Sequence, residues 1–212
     1  MPIQPIFDSI LQFNDTGAAR CVQAELEHGA DPMTVLNQGL IAAMDEVGRR
    51  YAQGVFFVPE MLMAAQAMKS GMSVLRPYLE NTGAAQGSGI VIGTVKGDQH
   101  DIGKNLVAMM LECSGFEVLD LGTDVEPEKF VKAARKRGAK LIALSALITT
   151  TLASMAATVS RIKSERNPPK TLVGGAPVTR EFADRIGADG YSPDAVGAID
   201  VVRHLLGNPS GL

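Results

Sequence analysis

The hydrophobic pattern changes its period near residue 85, and this change constrains the fold more than any other feature of the sequence. Before it, apolar residues recur at spacings of three and four, the period of amphipathic helices. After it, short β-branched runs alternate with helical stretches, which favours a parallel sheet covered by helices. The segment between, residues 81–88, is rich in small and polar residues. The pattern therefore predicts two domains, 1–82 and 88–212.

Four helices are predicted in the first domain. Asp31-Pro32 is typical of a helix start, because an N-cap acceptor precedes a proline at the first helical position. Gly54 is expected to end that helix, and Val58-Pro59 to begin the next. Two shorter helical stretches precede them, at residues 6–12 and 17–27. Four helices joined by short turns predict a small bundle.

The second domain is predicted to hold five strands and five helices. The strands are expected at residues 89–95, 117–121, 141–144, 171–173 and 189–191, and the helices at 102–114, 126–137, 152–164, 180–186 and 194–206. The central runs are apolar throughout, as in strands buried on both faces. This alternation predicts a doubly wound sheet of five parallel strands.

Composition excludes several classes of function. The formal net charge of −3 gives no basic footprint, which argues against a nucleic acid as partner. Cys21 and Cys113 are far apart, which argues against a zinc site or a disulfide framework. No segment has the features of a signal peptide or the roughly 20 apolar residues of a membrane span. We expect a cytoplasmic protein with no membrane partner.

The loop after the first predicted strand is unusually polar for a connection. It contains Asp98-x-His100-x-x-Gly103 and lacks a G-x-G-x-x-G fingerprint, which argues against a dinucleotide. In doubly wound folds, ligands bind at the carboxyl ends of the strands. A histidine near a carboxylate is typical of a metal ligand oriented by a hydrogen-bond acceptor. The alternative is an ordinary surface histidine.

Two further elements follow the third and fourth predicted strands: Ser145-Ala146-Leu147 and Gly174-Gly175. With residues 97–103 (GDQHDIG), they resemble the corrinoid-binding domain of cobalamin-dependent methionine synthase and of the methyltransferase corrinoid proteins of methanogens and acetogens. The resemblance extends to the helical half. It implies an α/β fold class: an N-terminal four-helix bundle as a methylcobalamin cap, then a doubly wound, flavodoxin-like (Rossmann-type) domain.

The resemblance implies that His100 replaces the cofactor's own base as the lower ligand of cobalt. Asp98 would accept the other ring N–H, and Thr151 would extend the chain of hydrogen bonds. The remaining cofactor-binding residues implied in this domain are Gly97, Gln99, Asp101, Gly103, Ser145, Leu147, Thr149, Gly174, Gly175 and Ala195. For the glycine pair, an ordinary strand-to-helix turn is the alternative.

The helical half would cover the upper face of the cofactor. Phe57 and Met61, beside the turn at Val58-Pro59, are expected to contact it, and Gln53 matches a polar position near the corrin edge. Methionine is soft and adaptable, which suits a face that covers and then releases a ligand. The alternative is that these side chains belong to the bundle core.

The implied function is that of a methyl carrier with no catalytic residue of its own. The cobalamin would take a methyl group from a donor-specific methyltransferase and pass it to an acceptor methyltransferase that uses tetrahydrofolate or a thiol. A reductive activator would restore oxidised cobalt. Overall resemblance favours O-demethylation of an aryl methyl ether. His28, His204 and Lys104 are expected to be solvated.

Two other functions remain open. The cobalamin subunit of an adenosylcobalamin mutase shares the histidine motif but usually lacks such a bundle. A cobalamin-based light sensor or regulator uses a bundle, but it needs a DNA-binding module and a basic surface, and the sequence shows neither.

Overall fold

The computed structural model describes residues 3–81 and 89–207. The chain divides into two compact units, Met1–Gly87 with Cys113–Gly115, and Ser88–Glu112 with Phe116–Leu212. The predicted linker, residues 81–88, lies outside the described residues except for Asn81, the last residue of a helix. Within the part of the chain that is described, no helix is both long enough and apolar enough to cross a bilayer.

The first unit is helical, and two of its helices begin at capping side chains. Asn14 caps α2 by accepting the Gly17 N–H at 2.9 Å, and Asp31 caps α3 by accepting the Thr34 N–H at 2.9 Å. Each cap satisfies one of the main-chain donors that a helix start leaves unpaired. The elements are α1 (Gln4–Leu11), α2 (Asp15–Glu27), α3 (Pro32–Thr34), a π-helical segment (Val35–Ile41), α4 (Ala42–Ala52) and α5 (Val58–Asn81).

The π-helical segment was not predicted, because the apolar stripe of this region indicates one continuous α-helix. Ala42 N–H donates to the carbonyl of Asn37, five residues back, as in a π-helix. The segment contains Gly39, where an added Cβ would lie 3.1 Å from Cδ1 of Ile6. The stripe still faces inward within the segment and after it, since Leu40 and Met44 are buried.

The second unit alternates strands and helices as predicted. Its elements are β1 (Ile90–Thr94), α6 (Ile102–Cys113), β2 (Val118–Asp120), α7 (Pro127–Arg137), β3 (Leu141–Ser145), a 3₁₀ turn (Thr149–Thr151), α8 (Leu152–Lys163), β4 (Lys170–Gly174), α9 (Arg180–Ile186), β5 (Gly190–Ser192) and α10 (Ala195–Leu205).

The five strands are parallel in the order β2-β1-β3-β4-β5. This is the flavodoxin-like order, which confirms the predicted fold class. The strand order reverses between β1 and β3, so the loops after these two strands diverge and leave a place for a ligand. Thr94 and Ser145 pair in register at that end of the sheet. The polar loop, which the structure places at residues 95–101, therefore begins at the switch point.

The two strands that flank the switch point are buried in the core. All five residues of β1 are buried, as are the first four of β3. An added Cβ at Gly93 would lie 2.8 Å from the ring of Phe130, which is fully buried on α7. The glycine thus allows α7 to pack directly on the strand that carries the loop.

Candidate functional site

Asp98 is fully buried and is the centre of a hydrogen-bond network that joins the loops after β1 and β3. Its Oδ1 accepts the His100 main-chain N–H at 3.1 Å and is 2.8 Å from His100 Nδ1. Its Oδ2 accepts the Leu147 N–H at 2.7 Å and lies 2.9 Å from the Thr151 hydroxyl. The resemblance implies that Asp98, His100 and Thr151 form one chain of hydrogen bonds, and the structure brings all three together.

The Thr151 hydroxyl has one hydrogen and two acceptors within reach. The second acceptor is the Ile148 carbonyl at 2.8 Å, which already receives the Thr151 main-chain N–H. A buried carboxylate is the stronger acceptor, and it has no hydrogen of its own to share when ionised. We therefore assign the hydroxyl hydrogen to Asp98.

The pKa of Asp98 reflects two opposing effects. Burial favours the neutral acid and raises the pKa, but the hydrogen bonds from Leu147, His100 and Thr151 favour the carboxylate and together outweigh it. The result is a pKa well below the usual range of an aspartic acid. Asp98 is a carboxylate at neutral pH, so it acts only as an acceptor.

His100 is oriented by this carboxylate from one side of its ring. Because Asp98 can only accept, Nδ1 carries the hydrogen and Nε2 is left with its lone pair. The His100 side chain is 52% exposed, and its main-chain carbonyl accepts the hydroxyl hydrogen of buried Thr94 at 2.9 Å. The arrangement presents a fixed imidazole nitrogen to solvent, which is what a metal ligand needs.

Large apolar side chains stand exposed on the segments next to His100. Ile102 is 86% exposed, Leu147 45% and Ile148 39%. The first of these begins α6, and the other two follow β3. Exposed apolar residues that cluster at a ligand site indicate a surface that a large, partly apolar ligand covers.

The glycine pair stands at the end of β4, and its second member lies against the loop that follows β3. Gly175 has a φ of +123°, and an added Cβ there would lie 1.8 Å from the Ala146 carbonyl oxygen. An added Cβ at Gly174 would lie 3.0 Å from the Ser192 carbonyl oxygen. Packing within the protein therefore already requires a glycine at position 175 and leaves little room for a side chain at position 174, so contact of the pair with a cofactor stays a prediction.

The other residues predicted in this unit lie along the same end of the sheet. Ser145 is half-buried at the end of β3, and Thr149 is exposed in the 3₁₀ turn. Ala195 is buried at the start of α10, where Asp194 caps the helix by accepting the Gly197 N–H at 2.8 Å. Gly174 pairs with Ser192 on β5, two residues before this cap. The predicted residues from β3 to the start of α10 thus lie in one row along the carboxyl end of the sheet.

Gln99 and Asp101 flank His100 and are both exposed. The Gln99 side chain accepts the Thr123 hydroxyl hydrogen at 3.2 Å. Asp101 accepts the side-chain N–H of Asn105 at 3.0 Å, one turn into α6. Each side chain therefore makes a hydrogen bond within the protein and is also exposed to solvent.

Gly103 differs from the other predicted glycines because no contact among the described residues requires it. Its φ is outside the left-handed region, and an added Cβ would meet no atom within 4 Å. It lies in the first turn of α6, directly after the loop of His100. The open space at this position fits a ligand that approaches the main chain closely.

We expect Gly103→Ala to raise the stability of the protein and to lower its affinity for the corrinoid. Alanine should stabilise the protein without cofactor by about 0.4–1 kcal/mol, because it lowers the entropy of the unfolded chain. The added methyl should weaken corrinoid binding about 10-fold through steric overlap. Urea unfolding and a binding titration measure the two effects. The exposed Ser160→Ala on α8 is the control. Unchanged corrinoid affinity in Gly103→Ala would contradict close approach at this glycine.

Lys104 was expected to be solvated, and that prediction was wrong. Its side chain is 1% exposed and forms an ion pair with Asp120 at the end of β2. Its Nζ also donates to Asn105 Oδ1 at 2.6 Å. A buried ammonium is stable only when it is paired, and the acidic partner lies on a different element, so no local pattern indicated the pair. His28 and His204 are exposed, as predicted.

Sequence reasoning missed two residues that hold the loop. Thr94 is a fully buried hydroxyl at the end of an otherwise apolar strand, and it binds the His100 carbonyl. Asp124 follows β2, and its Oδ1 accepts the Gly97 N–H at 2.7 Å. For Thr94 the available signal was a polar residue at the carboxyl end of a buried strand, and for Asp124 it was a polar residue in the loop after a strand.

A cleft of about 440 Å³ lies elsewhere, at the amino ends of the strands. It is bordered by the ends of α7 and α8, where Arg135 and Glu165 form an ion pair at 2.6 Å. The surface that presents His100 is instead open to solvent. We base the assignment of the site on the network around Asp98 rather than on the volume of a cavity.

The residues predicted in the helical unit differ in exposure. Phe57 is 63% exposed, and its neighbours in sequence Leu62 and Met63 are 47% and 45% exposed. Met61 is fully buried among the core residues of its unit. Gln53 is exposed at the end of α4 and accepts a hydrogen bond from Arg49 at 3.1 Å. The turn before α5 and the start of that helix therefore expose apolar side chains, but the side chain of Met61 is not one of them. Contact of Met61 with a cofactor stays a prediction.

Both units match known families. A model described as the B12 binding domain matches residues 88–200, and a second B12 binding domain model matches residues 3–76. The chain belongs to the B12-binding family. Its cofactor is therefore a corrinoid, and the exposed imidazole, the exposed apolar residues and the open space at Gly103 fit such a group.

Similar proteins place this corrinoid protein among those of methyltransferase systems. Trimethylamine corrinoid protein 1 of Methanosarcina acetivorans is 42% identical over 203 residues, which cover 94% of each chain. The solved methanol:cobalamin methyltransferase complex of Methanosarcina barkeri matches with 29% identity and a TM-score of 0.83, over 97% of this chain and 80% of that chain. A solved cobalamin-binding protein of Desulfitobacterium hafniense matches with 29% identity and a TM-score of 0.78, over 94% and 96%.

Proposed function

We propose that this protein carries a methyl group on the cobalt of a corrinoid, with His100 as the lower ligand. The observation that carries the proposal is the network in which buried Asp98 orients the exposed imidazole of His100. When bound, the corrinoid supplies a cobalt centre that accepts a methyl group and later gives it up. The remaining chemistry of the protein is to hold, orient and cover that group.

The proposed role of Asp98 is to set how strongly His100 donates to cobalt. A carboxylate on Nδ1–H increases the electron density at Nε2 and fixes the direction of its lone pair. The Leu147 N–H and the Thr151 hydroxyl hold the carboxylate in place. The loops after both β1 and β3 therefore control one ligand atom.

We assign the displaced nucleotide tail of the corrinoid to the row of residues that runs from β3 to α10 along the carboxyl end of the sheet. Ser145 and Thr149 would bind it through their hydroxyls, beside Leu147 at the mouth of the slot. The glycine pair Gly174-Gly175 would let it pass close to the main chain, and Ala195 would lie at its far end. The support for this assignment is that these residues follow neighbouring strands in register.

We assign the cover of the upper corrin face to the apolar turn before α5. Phe57 is the largest exposed apolar side chain of that turn, and Leu62 and Met63 extend the same surface. Gln53 would contact the corrin edge. If Met61 contributes, it does so after a change in the packing of the bundle, because its side chain is buried in this structure.

The proposed partners are a donor-specific methyltransferase, an acceptor methyltransferase that uses tetrahydrofolate or a thiol, and a reductive activator. The methanol relative is named as part of a complex with a methyltransferase, which supports the first of these. For the donor we keep two classes. Aryl methyl ethers, with O-demethylation feeding tetrahydrofolate, are the first. Methylamines are the second, because relatives with about 40% identity are named for trimethylamine and dimethylamine.

The proposal is tested by loading the purified protein with cobalamin, reducing it, and adding candidate methyltransferases with their donors. We expect the absorbance of methylated cobalt to appear with one donor class and to vanish when the acceptor methyltransferase is added. A protein that binds adenosylcobalamin selectively and changes its oligomeric state in light would instead be a sensor. Rearrangement activity with a mutase subunit would also contradict the carrier function.

A further inference from the structure

Asp124 makes two hydrogen bonds to consecutive residues of the loop that carries His100. Its Oδ1 accepts the Gly97 N–H at 2.7 Å, and its own main-chain N–H donates to the Asp98 carbonyl at 2.9 Å. Asp124 lies 24 residues beyond His100 in sequence, in the loop after β2. It therefore connects a third strand of the sheet to the switch-point loop.

The main chain at this contact adopts unusual angles on both sides. Asp124 has a φ of +53° and Gly97 a φ of +83°. A residue with a side chain adopts the left-handed region at a conformational cost, although aspartate tolerates it better than most residues. A glycine would adopt the same angle freely. A glycine at position 124 would, however, lack the carboxylate that accepts the Gly97 N–H.

The loop is held at its other end by Thr94, whose hydroxyl donates to the His100 carbonyl at 2.9 Å. The segment from Gly97 to His100 is thus fixed before and after Asp98. Asp98 needs this fixation, because its two carboxylate oxygens must meet donors on two different loops at the same time. A rotation of the Gly97–Asp98 peptide would move both oxygens.

We infer that Asp124 is a positioning residue for the lower cobalt ligand, acting through Gly97 and Asp98 on the orientation of the His100 ring. This inference rests on the proposed role of His100. Asp124 itself is exposed, and its two hydrogen bonds to this loop are made to main-chain atoms of Gly97 and Asp98. Its effect is on the fraction of protein in which His100 binds cobalt.

The test compares Asp124→Gly with Asp124→Asn in the full-length protein loaded with cobalamin. The glycine variant keeps the left-handed main chain but removes the acceptor, whereas asparagine keeps both an acceptor oxygen and tolerance of this φ. The readout is the fraction of Co(II) protein with histidine nitrogen on cobalt, measured by electron paramagnetic resonance with ¹⁵N-labelled histidine. Asp31→Gly, which removes a carboxylate cap from α3, is the control.

We expect Asp124→Gly to lower the ratio of histidine-bound to histidine-free cobalt about 10-fold, at the low end of outer-shell effects. Asp124→Asn should recover most of the ratio, and Asp31→Gly should match the parent protein. Urea unfolding of each protein without cofactor shows whether the variant is folded. A folded Asp124→Gly protein with the parent ratio would overturn the inference, as would an Asp124→Asn protein as impaired as the glycine variant.

His100→Ala, measured in parallel, separates the two hypotheses. If His100→Ala loses the histidine signal and Asp124→Gly keeps it, only the role of Asp124 fails. If His100→Ala keeps the signal of the parent protein, the proposed cobalt ligand itself is wrong.

Discussion

Replacement of His100 by alanine is expected to abolish histidine ligation of cobalt while leaving the protein folded. The Co(II) protein should lose the nitrogen splitting that responds to ¹⁵N-histidine, and corrinoid affinity should fall about 10- to 100-fold. Some binding should remain through the proposed tail slot. The free energy of unfolding without cofactor should change by only about 1 kcal/mol, because Asp98 keeps its main-chain donors and the Thr151 hydroxyl.

The chain offers matched controls for this variant. His28 and His204 are both exposed, and neither lies on the loops after β1 and β3. His204→Ala and His28→Ala should leave the spectrum, the affinity and the rate of methyl acceptance unchanged. If His100→Ala retained the histidine-bound spectrum and methyl-accepting rate of the parent protein, the assignment of the ligand would be wrong.

The second large effect is expected from Asp98→Asn, which should reduce both stability and ligation. Asparagine offers one oxygen where the carboxylate offers two, so its amide N–H₂ would face donors in a fully buried site. Leaving buried donors without an acceptor should lower the free energy of unfolding by about 3 kcal/mol. The fraction of histidine-bound cobalt should fall about 10- to 100-fold, because Nδ1–H loses its carboxylate.

The pH dependence of stability provides an independent test of Asp98. Its pKa is lower in the folded protein than in the unfolded chain, so the folded state favours the carboxylate. The resulting stabilisation is complete well above the unfolded pKa of about 3.9 and is lost as the pH falls below it. The parent protein without cofactor should therefore lose more stability than Asp98→Asn between about pH 5 and pH 3.

Asp31→Asn is the matched control for both measurements. Asp31 is an exposed helix cap, and asparagine caps a helix about as well as aspartate. The control should unfold at the urea concentration of the parent protein. An Asp98→Asn protein as stable as this control, with the acid sensitivity of the parent, would show that the buried network contributes little.

Local sequence patterns predicted most of the architecture because the signals were local. The N-cap at Asp31 and the proline after it begin a helix in the structure, and the short β-branched runs became the strands of a parallel sheet. The sequence did not predict the π-helical segment at Val35–Ile41, since its residues keep an apolar stripe that also fits an α-helix. The burial of Lys104 was missed because its partner, Asp120, lies on another element.

By itself, the sequence determined that Asp98 and His100 share a loop at the end of a buried strand, because that depends only on spacing and periodicity. Only the tertiary structure decided how the loop is held. The Leu147 N–H reaches Asp98 across about 50 residues, and Asp124 reaches Gly97 from the loop after a third strand. The bond from Thr151 to Asp98 was implied by the resemblance and by no local pattern. Such contacts depend on strand order, which places the carboxyl ends of β1, β2 and β3 side by side. No local pattern encodes that order, so the site could be located from sequence while its support could not.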